Sequence, residues 1–298
     1  MRYIELAESG VLQDRARKAI EGLGNCLLCP QACGVNRAAG KAGFCRAGKK
    51  ARLSGYGPHF GEEAPLVGQG GSGTIFFSYC NLRCVFCQNY DTSHLGHGED
   101  VEALELADIM ISLQDVGCEN INFVTPTHYV PQILEALPAA VQKGLRVPLV
   151  YNCGTYECLD TLRLLDGVID IYLPDTKYSD PAHGKTYSGV ENYPDSMFAS
   201  LKEMYRQVGS LQVGPDGVAV RGLMIRHLIL PGGLAGTRNV LHFIAAELSK
   251  DTYVNLMGQY YPAYRAQEYP ELARRPARQE LAGAKALAIE YGLTRVES

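Results

Sequence analysis

The sequence lacks three features that would each assign it to a broad class of proteins. No apolar run approaches the length of a membrane span, and the opening residues Met1-Arg2-Tyr3-Ile4-Glu5 lack a secretory pattern. A general excess of basic residues is missing too, because the formal charge is -4 and the sequence pI is about 6.0. We therefore expect a cytoplasmic protein that does not act at a membrane, and nucleic acid ranks low among its expected partners.

The composition is otherwise ordinary, except for its cysteines. The chain has 298 residues, 46% apolar and 20% charged, which suits one large domain of barrel type with a small appendage. It contains ten cysteines. In a cytosolic protein such a number indicates metal ligands before it indicates a disulfide framework.

Three of these cysteines lie close together directly after a β-prone run. Cys80, Cys84 and Cys87 follow residues 74–78 at the spacing Cys-x3-Cys-x2-Cys. Thiolates at this density suit an iron–sulfur cluster or zinc. In a four-iron cluster, three local cysteines leave one iron open, and catalytic metal sites keep such a position for substrate. The alternatives are a zinc knuckle with a distant fourth ligand or three ordinary buried cysteines.

With Phe86 as the aromatic residue before the last cysteine, this spacing resembles the signature of the radical SAM superfamily. The resemblance implies a [4Fe-4S] cluster on Cys80, Cys84 and Cys87, with S-adenosylmethionine (SAM) chelated to the open iron. It also implies one-electron reduction by reduced flavodoxin or ferredoxin and cleavage of SAM to methionine and a 5′-deoxyadenosyl radical. The cofactors would then carry the chemistry, while the protein orients them and excludes water.

A second group of cysteines lies near the start of the chain. Cys26, Cys29, Cys33 and Cys45 fall within twenty residues that also contain turn-forming glycines. Such a set would close around one metal ion or a second cluster, and a closed site is structural or electron-conducting because it has no open position. Spacing alone fits zinc as well as iron–sulfur, although Pro30 directly after Cys29 is typical of ferredoxin-like runs. Four free cysteines in a loop-rich segment are the remaining alternative.

The rest of the chain alternates short apolar runs with helix-length amphipathic ones. Expected strands lie near 74–78, 121–124, 147–151, 168–173, 223–230 and 252–257, and expected helices near 11–22, 102–115, 129–143, 156–166, 195–208, 238–249 and 276–291. Six strand-then-helix units predict an α/β fold with a parallel sheet and right-handed crossovers. The radical SAM resemblance implies a partial (β/α)6 TIM-like barrel. We expect three parts: residues 1–50 as an N-terminal helix and cysteine-rich metal-binding segment, 51–73 as a connector, and 74–298 as the partial barrel with a C-terminal helix.

The residues that follow the predicted strands are candidates for cofactor binding, because ligand sites in parallel sheets gather at the carboxyl ends of the strands. After the second strand, relatives carry a Gly-Gly-Glu-Pro-like motif that holds the methionine amine. This chain departs from that motif, and Thr127 and His128 are the candidate replacements. After the third strand, Asn152 offers an amide donor and acceptor for the ribose or the methionine head group.

The fourth and fifth strands add charged candidates. Asp175 and Lys177 resemble the Asp-x-Lys element of glycyl-radical-activating enzymes, and residues two apart on a strand point the same way. Asp175 would orient the methionine amine and Lys177 would offset its carboxylate, unless the two form a rim ion pair of little worth. Arg226 belongs to an Ile-Arg run that ends in Pro-Gly, and we expect it to face inward with the cofactor carboxylate as its partner, opposite His227.

Residues 70–260 are similar to the pyruvate formate-lyase activating enzyme family and its uncharacterised relatives. The resemblance implies an activase that abstracts hydrogen from a glycine of a partner glycyl-radical enzyme. A radical SAM enzyme acting on a small molecule or peptide is the alternative within the same chemistry. A non-catalytic iron–sulfur or zinc electron-transfer protein would need a fourth protein ligand beside Cys80, Cys84 and Cys87. A radical enzyme acting on RNA would need a concentrated basic face.

Overall fold

Short apolar segments, buried on both faces, form parallel strands at the centre of the molecule. The computed structural model describes residues 1–297. The strands are β1 Ala51–His59, β2 Ser72–Phe77, β3 Glu99–Val101, β4 Ile121–Val124, β5 Leu149–Cys153, β6 Ile171–Thr176, β7 Gln212–Val213, β8 Ala219–Leu228, β9 Tyr253–Met257 and β10 Arg295–Glu297. The α-helices are α1 Arg2–Glu8, α2 Val11–Glu21, α3 Ala64–Val67, α4 Tyr90–Ser93, α5 Ala103–Asp115, α6 Val130–Gln142, α7 Leu159–Leu164, α8 Pro181–Ser188, α9 Tyr193–Val208, α10 Thr237–Phe243 and α11 Arg278–Glu290.

One sheet joins these strands in the order β10-β9-β8-β6-β5-β4-β2-β1-β3, with β7 added beside β8. All pairs from β10 to β2 are parallel, whereas β1 runs antiparallel to both β2 and β3. The sheet does not close, because its two end strands, β10 and β3, are not paired with each other. The predicted α/β class with a partial, mostly parallel barrel is confirmed.

The two faces of the sheet have different surroundings. On the outer face, the hydroxyl of Tyr172 donates to the side chain of Gln207 on α9 at 2.6 Å. On the inner face, Leu66 of α3 packs in an apolar cluster with residues that include Leu173 and Met224. The short helix α3 therefore fills part of the barrel interior.

The register between parallel strands brings polar residues together on this inner face. Asn152 is paired with Leu173, Asp175 with Arg226, and Arg226 with Asn255. Since paired positions in parallel strands point to the same side, these side chains share the inner face with α3. The prediction that Arg226 rather than His227 faces inward agrees with this register.

The six predicted strand-then-helix units all occur, and most differences from prediction lie outside them. Residues 51–59 form the nine-residue strand β1, where the sequence predicted a connector. Gly55, Gly57 and Pro58 conceal this strand, because glycine and proline are depleted in most strands. Helix α8 also lay outside the predicted elements. The division at residues 50 and 73 stays a prediction.

The N-terminal helices lie against the barrel. Helix α2, which was expected near residues 11–22, packs on α6 and buries Leu12 and Ala16. The hydroxyl of Tyr3 donates to the carbonyl of Val147 at 2.9 Å. In residues 1–297, no helix combines the length and apolar character needed to cross a membrane.

Candidate active site and metal centres

The loop that carries Cys80, Cys84 and Cys87 directly follows β2 and is held by two distant segments. The backbone N–H groups of Arg83 and Val85 donate to carbonyls at the end of α8, at 3.0 and 2.9 Å. The N–H of Arg265 in turn donates to the carbonyl of Val85 at 2.9 Å. These bonds fix the loop at the carboxyl edge of the sheet, where parallel folds place their ligand sites.

Each thiol of this loop has a hydrogen-bonding N–H or hydroxyl group nearby. The N–H of Leu82 donates to Cys80 Sγ at 3.4 Å. Cys84 Sγ lies 3.0 Å from the hydroxyl of Ser188, and Cys87 Sγ lies 3.1 Å from the hydroxyl of Ser93. Such donors stabilise metal-bound thiolates, so the donor set fits an anionic iron–sulfur cluster.

Burial and a nearby cation act on these thiols in opposite directions. Burial raises the pKa of Cys80 to about 12 and that of Cys84 to about 11, while Lys177 lowers both. Metal binding must therefore displace protons from the thiols. Within residues 1–297, no group of three or more His, Cys, Asp or Glu side chains is arranged to hold a metal ion. Cys80, Cys84 and Cys87 are the residues that would hold a cluster in this loop.

Three predicted cofactor ligands lie at the ends of neighbouring strands beside this loop. Lys177 Nζ donates to Asp175 Oδ2 at 2.9 Å, and both side chains are mostly buried. Burial opposes the charge of Lys177, but Asp175 and Cys84 raise its pKa above the ordinary value. Asn152 is buried, and in the described part of the chain its side-chain amide makes no hydrogen bond to protein. An ion pair and a free amide thus adjoin the cysteine loop.

Arg226 faces inward as predicted, but its partners in the structure come from the chain itself. Its Nε and Nη2 each donate to a carboxylate oxygen of Glu63 at 2.7 Å, and Nη2 also contacts Glu62. Asn255 donates to Glu63 at 2.8 Å. Burial opposes ionisation of Glu63, but the bonds from Arg226 hold its pKa below the ordinary value. A contact between Arg226 and a cofactor carboxylate stays a prediction and would compete with these two glutamates.

Thr127 and His128 are also engaged within the protein. The hydroxyl of Thr127 donates to Glu157 at 2.7 Å, and His128 Nε2 lies 2.9 Å from the carbonyl of Ser78. Both residues are buried. Burial lowers the pKa of His128 to about 3, so its ring is neutral. Their predicted role as amine ligands remains a prediction.

Phe86 packs edge-on against Tyr178 and Tyr260, with ring centroids 6.2 and 5.7 Å apart. These contacts anchor the cysteine loop and explain an aromatic residue before Cys87.

Backbone strain is found in the same region. Residues other than glycine rarely adopt positive φ, and they do so mostly at functional sites. Within residues 1–297 such residues are Ala32, Arg46, Tyr79, Thr125, Thr155 and Tyr264. The first three adjoin a cysteine of the two groups, the next two follow β4 and β5, and Tyr264 lies further along in the segment after β9.

The four N-terminal cysteines lie near one another, although within residues 1–297 no three of them are arranged to hold a metal ion. Cys26, Cys29 and Cys45 are buried, and Cys33 is partly exposed. Cys29 and Cys45 are electrostatic neighbours of each other and of Cys26, and Cys33 adjoins Cys45. Burial raises the pKa of Cys29 and Cys45 above the ordinary value for a thiol. A metal at these residues stays a prediction.

Comparison with known proteins agrees with this geometry. The model of the radical SAM superfamily matches residues 74–204. The uncharacterized protein MJ0674 of Methanocaldococcus jannaschii is 35% identical over 279 residues, which cover 90% of this chain and 75% of that protein. The chain belongs to the radical SAM superfamily. The membership that the cysteine spacing predicted is therefore confirmed.

Solved radical SAM proteins share the fold at low identity. A radical SAM methyltransferase from Sphaerobacter thermophilus has a TM-score of 0.53 and 13% identity over 75% of this chain and 65% of its own. Streptococcus suis SuiB, solved with its precursor peptide SuiA, has a TM-score of 0.51 and 14% identity over 74% of this chain. This chain covers 46% of the length of SuiB, and at such identity the likeness shows the fold alone.

Membership of the superfamily implies a [4Fe-4S] cluster, SAM and an electron donor for radical chemistry.

Three carboxylates near the candidate site were not indicated by the sequence pattern. They are Glu62, Glu63 and Glu157. The first two lie in a glycine-rich connector, where their only signal is a pair of carboxylates directly before the Ala-Pro start of α3. No sequence pattern indicates Glu157, because its connection to the candidate site consists of the hydrogen bonds that it accepts from Thr127 and Tyr151.

Proposed function

We propose that this radical SAM protein removes a hydrogen atom from a glycine of a partner protein and so acts as an activase of a glycyl-radical enzyme. The observation that carries the radical reaction is the group formed by Asn152 and the Asp175–Lys177 pair beside Cys84. When bound, the cluster and SAM supply a 5′-deoxyadenosyl radical for hydrogen abstraction. Reduced flavodoxin or ferredoxin is the proposed donor of the electron.

The side chains of this group carry both charges that are needed to bind a zwitterionic amino acid. Asp175 accepts hydrogen bonds and can hold an ammonium group, while Lys177 can neutralise a carboxylate. Both are mostly buried, so their charges are weakly screened, and a zwitterionic ligand would share with them the charges that now offset each other. Asn152 has free amide donors and an acceptor for the ribose or the methionine head group. Together these side chains position the methionine part of SAM and exclude water.

An aromatic group at the rim supports a polypeptide substrate. Tyr90 and Tyr264 are stacked with ring centroids 5.0 Å apart, and the ring of His94 lies 4.7 Å from that of Tyr264. Both tyrosines are about 40% exposed, and Tyr90 is three residues after Cys87. Exposed aromatic side chains beside a reactive centre offer apolar contact to an incoming peptide segment. A peptide substrate other than a glycyl-radical enzyme is the second candidate, since the same rim would serve it.

The test is anaerobic and begins with the cofactor. The chain is reconstituted with iron and sulfide, reduced with dithionite, and given SAM, and 5′-deoxyadenosine is measured together with the electron paramagnetic resonance spectrum. We expect 5′-deoxyadenosine from the native chain and from Cys118→Ala, whose thiol is buried before β4. Cys84→Ala should abolish the product because it removes a cluster ligand. A fully loaded cluster that gives neither a spectral shift with SAM nor product would contradict the radical function.

The activase step needs a separate measurement. Candidate glycyl-radical enzymes and glycine-containing peptides are prepared in deuterated and in ordinary form. Each is then incubated with the active chain. Deuterium transferred from the α-carbon of glycine into 5′-deoxyadenosine supports the activase. Transfer from another position of a peptide supports the second candidate instead.

A further inference from the structure

The four N-terminal cysteines lie in a segment of tight turns rather than in regular structure. The N–H of Cys26 donates to the carbonyl of Val35 at 3.0 Å, and the N–H of Gly34 donates back to the carbonyl of Cys26 at 3.1 Å. Gly43 lies so close to Cys33 that a Cβ atom there would be 2.4 Å from Cys33 Sγ. The chain thus brings backbone unusually close to a thiol, as metal-binding loops do.

A buried cation adjoins the N-terminal thiols. Arg37 is 1% exposed, and its guanidinium donates to the carbonyls of Gly48 and His128 and to Cys26 Sγ at 3.8 Å. In residues 1–297 no carboxylate forms a salt bridge with it. A buried guanidinium requires negative charge nearby, because neutral carbonyls do not repay the loss of its hydration. Four thiolates around a metal centre would supply that charge.

The N-terminal group lies next to the loop of the radical SAM cluster. The side chain of Gln31 donates to the carbonyl of Asn81 at 3.0 Å, and Arg83 donates to the carbonyl of Phe44 at 2.6 Å. Asn81 directly follows Cys80, and Phe44 directly precedes Cys45. The guanidinium of Arg83 is an electrostatic neighbour of both Cys80 and Cys45. Direct hydrogen bonds therefore connect the two cysteine groups through the residues next to them.

We propose that Cys26, Cys29, Cys33 and Cys45 bind a second iron–sulfur cluster, through which one electron enters the protein next to the Cys80–Cys87 loop. A one-electron donor of the ferredoxin or flavodoxin class is oxidised by one electron as this cluster is reduced. Passing the electron onward reoxidises it, and no atom or proton is transferred. This inference rests on the proposed function for the destination of the electron, but not for the cluster itself. Zinc at the same thiolates would be redox-silent and would contradict it.

The first test removes the radical SAM ligands and leaves the N-terminal ones. The full chain with Cys80→Ala, Cys84→Ala and Cys87→Ala is reconstituted anaerobically, and its iron, sulfide and zinc are measured. We expect about four irons per chain and a paramagnetic signal after dithionite reduction. Stoichiometric zinc, or no bound metal, overturns the proposal. If this variant holds a reducible cluster but the native chain does not cleave SAM, the proposed function fails and the second cluster stands.

Two substitutions near the thiols sharpen this test in the same background. Gly43→Ala should lose iron because the added methyl group collides with Cys33 Sγ. Gly24→Ala is the matched control, since a Cβ at Gly24 meets no atom within 4 Å. Arg37→Gln should shift the midpoint potential of the remaining cluster to lower values, because a positive charge favours the reduced, more negative state. An unchanged potential in a fully loaded variant would show that Arg37 is not the counter-charge.

The route of the electron is tested in the complementary variant. With Cys26→Ser, Cys29→Ser, Cys33→Ser and Cys45→Ser, stopped-flow bleaching reports reduction of the cluster on Cys80, Cys84 and Cys87. We expect reduction by a ferredoxin or flavodoxin to be lost and reduction by dithionite to be unchanged, because a small reductant needs no docking route. Equal rates in variant and native chain with the protein donor would contradict electron entry at the N-terminal site. Slowing with both reductants would indicate damage to the loop and would also contradict it.

Discussion

At the scale of single residues, the proposed SAM site is tested most directly at Lys177, whose ammonium group is paired with Asp175. We expect Lys177→Met to weaken SAM binding to the reconstituted chain by roughly tenfold or more, because a charge-assisted hydrogen bond contributes about 1.5–3 kcal/mol. Binding is measured by isothermal titration with SAM under anaerobic conditions. Lys185→Met is the matched control, since the Lys185–Glu191 pair is about two-thirds exposed and exposed pairs contribute little. Equal affinities of the two variants would remove Lys177 from the SAM site.

Glu157 allows a pH test at the same scale. Burial raises its pKa to about 7 from the ordinary 4.5, although bonds from Thr127 and Tyr151 oppose the rise. Between these values the folded chain holds a proton that the unfolded chain has lost, so stability falls as pH rises from 4.5 to 7. The loss amounts to about 3 kcal/mol. The side chain of Glu157→Gln cannot ionise, so the variant should not lose this stability as pH rises.

The measurement is urea unfolding of native chain and Glu157→Gln at about pH 5 and pH 8. We expect the variant to gain stability relative to the native chain as pH increases. Glu135→Gln, at an exposed position on α6, should track the native chain at both pH values. A difference between Glu157→Gln and native chain that is independent of pH would show that Glu157 is ionised in the folded protein.

The residues of the site were predictable to different degrees. Cysteine spacing identified the family because a cluster needs its ligands at fixed separations, and strand-end position nominated Asn152, Asp175 and Lys177. Spacing cannot show which partner a charged residue meets. Arg226 was expected to await a cofactor carboxylate, yet Glu62 and Glu63 reach it from more than 160 residues away in the chain. Contacts of that range depend on how α3 enters the barrel, and no local pattern encodes this.

At the scale of elements, α3 is the feature that the sequence did not reveal. Four residues are too few for a periodic apolar pattern, and the glycines around it indicate only loops. The structure nevertheless buries Leu66 completely between the inner faces of the strands. The long amphipathic helices α5, α6, α9 and α11 were predictable because each shows several turns of pattern. Short elements depend on tertiary contacts instead.

The burial of Leu66 gives a stability prediction. Leu66→Ala should destabilise the chain by about 3 kcal/mol, because removing a fully buried leucine side chain leaves a cavity. Leu104→Ala on α5 is the matched control: its side chain is 64% exposed, and truncation there should cost less than about 0.5 kcal/mol. Both are measured by urea unfolding monitored by circular dichroism. Similar losses in the two variants would mean that α3 does not fill the barrel interior.

At the scale of the whole molecule, the parallel sheet followed from the alternation of strands and helices, whereas the antiparallel strand β1 beside β2 did not. Because β1 runs antiparallel to β2, the run of parallel strands ends there on that side of the sheet. Sequence periodicity reports the type of element, whereas strand direction depends on how a connector crosses the sheet. The N-terminal segment shows the same limit. Its cysteines were visible in the sequence, while its contact with the barrel was not.

That contact makes the independence of residues 1–50 testable. Tyr3 and Leu12 are fully buried, and α2 packs along α6. Since each large side chain contributes about 2 kcal/mol on burial, a chain that begins at Ala51 loses much of its stability and exposes the apolar face of α6. We expect a lower melting temperature and binding of a hydrophobic dye.

The control for this truncation is the full chain with Cys26, Cys29, Cys33 and Cys45 changed to serine, which keeps α1 and α2. If that variant retains cooperative unfolding while the truncated chain does not, the helices stabilise the barrel directly, without help from a bound metal. If the truncated chain melts like the native one, residues 1–50 form a separable unit, and the packing of α2 on α6 contributes little. If both variants fail equally, a metal at the four thiolates stabilises the N-terminal segment. The barrel and its cysteine-rich segment would then depend on each other for folding.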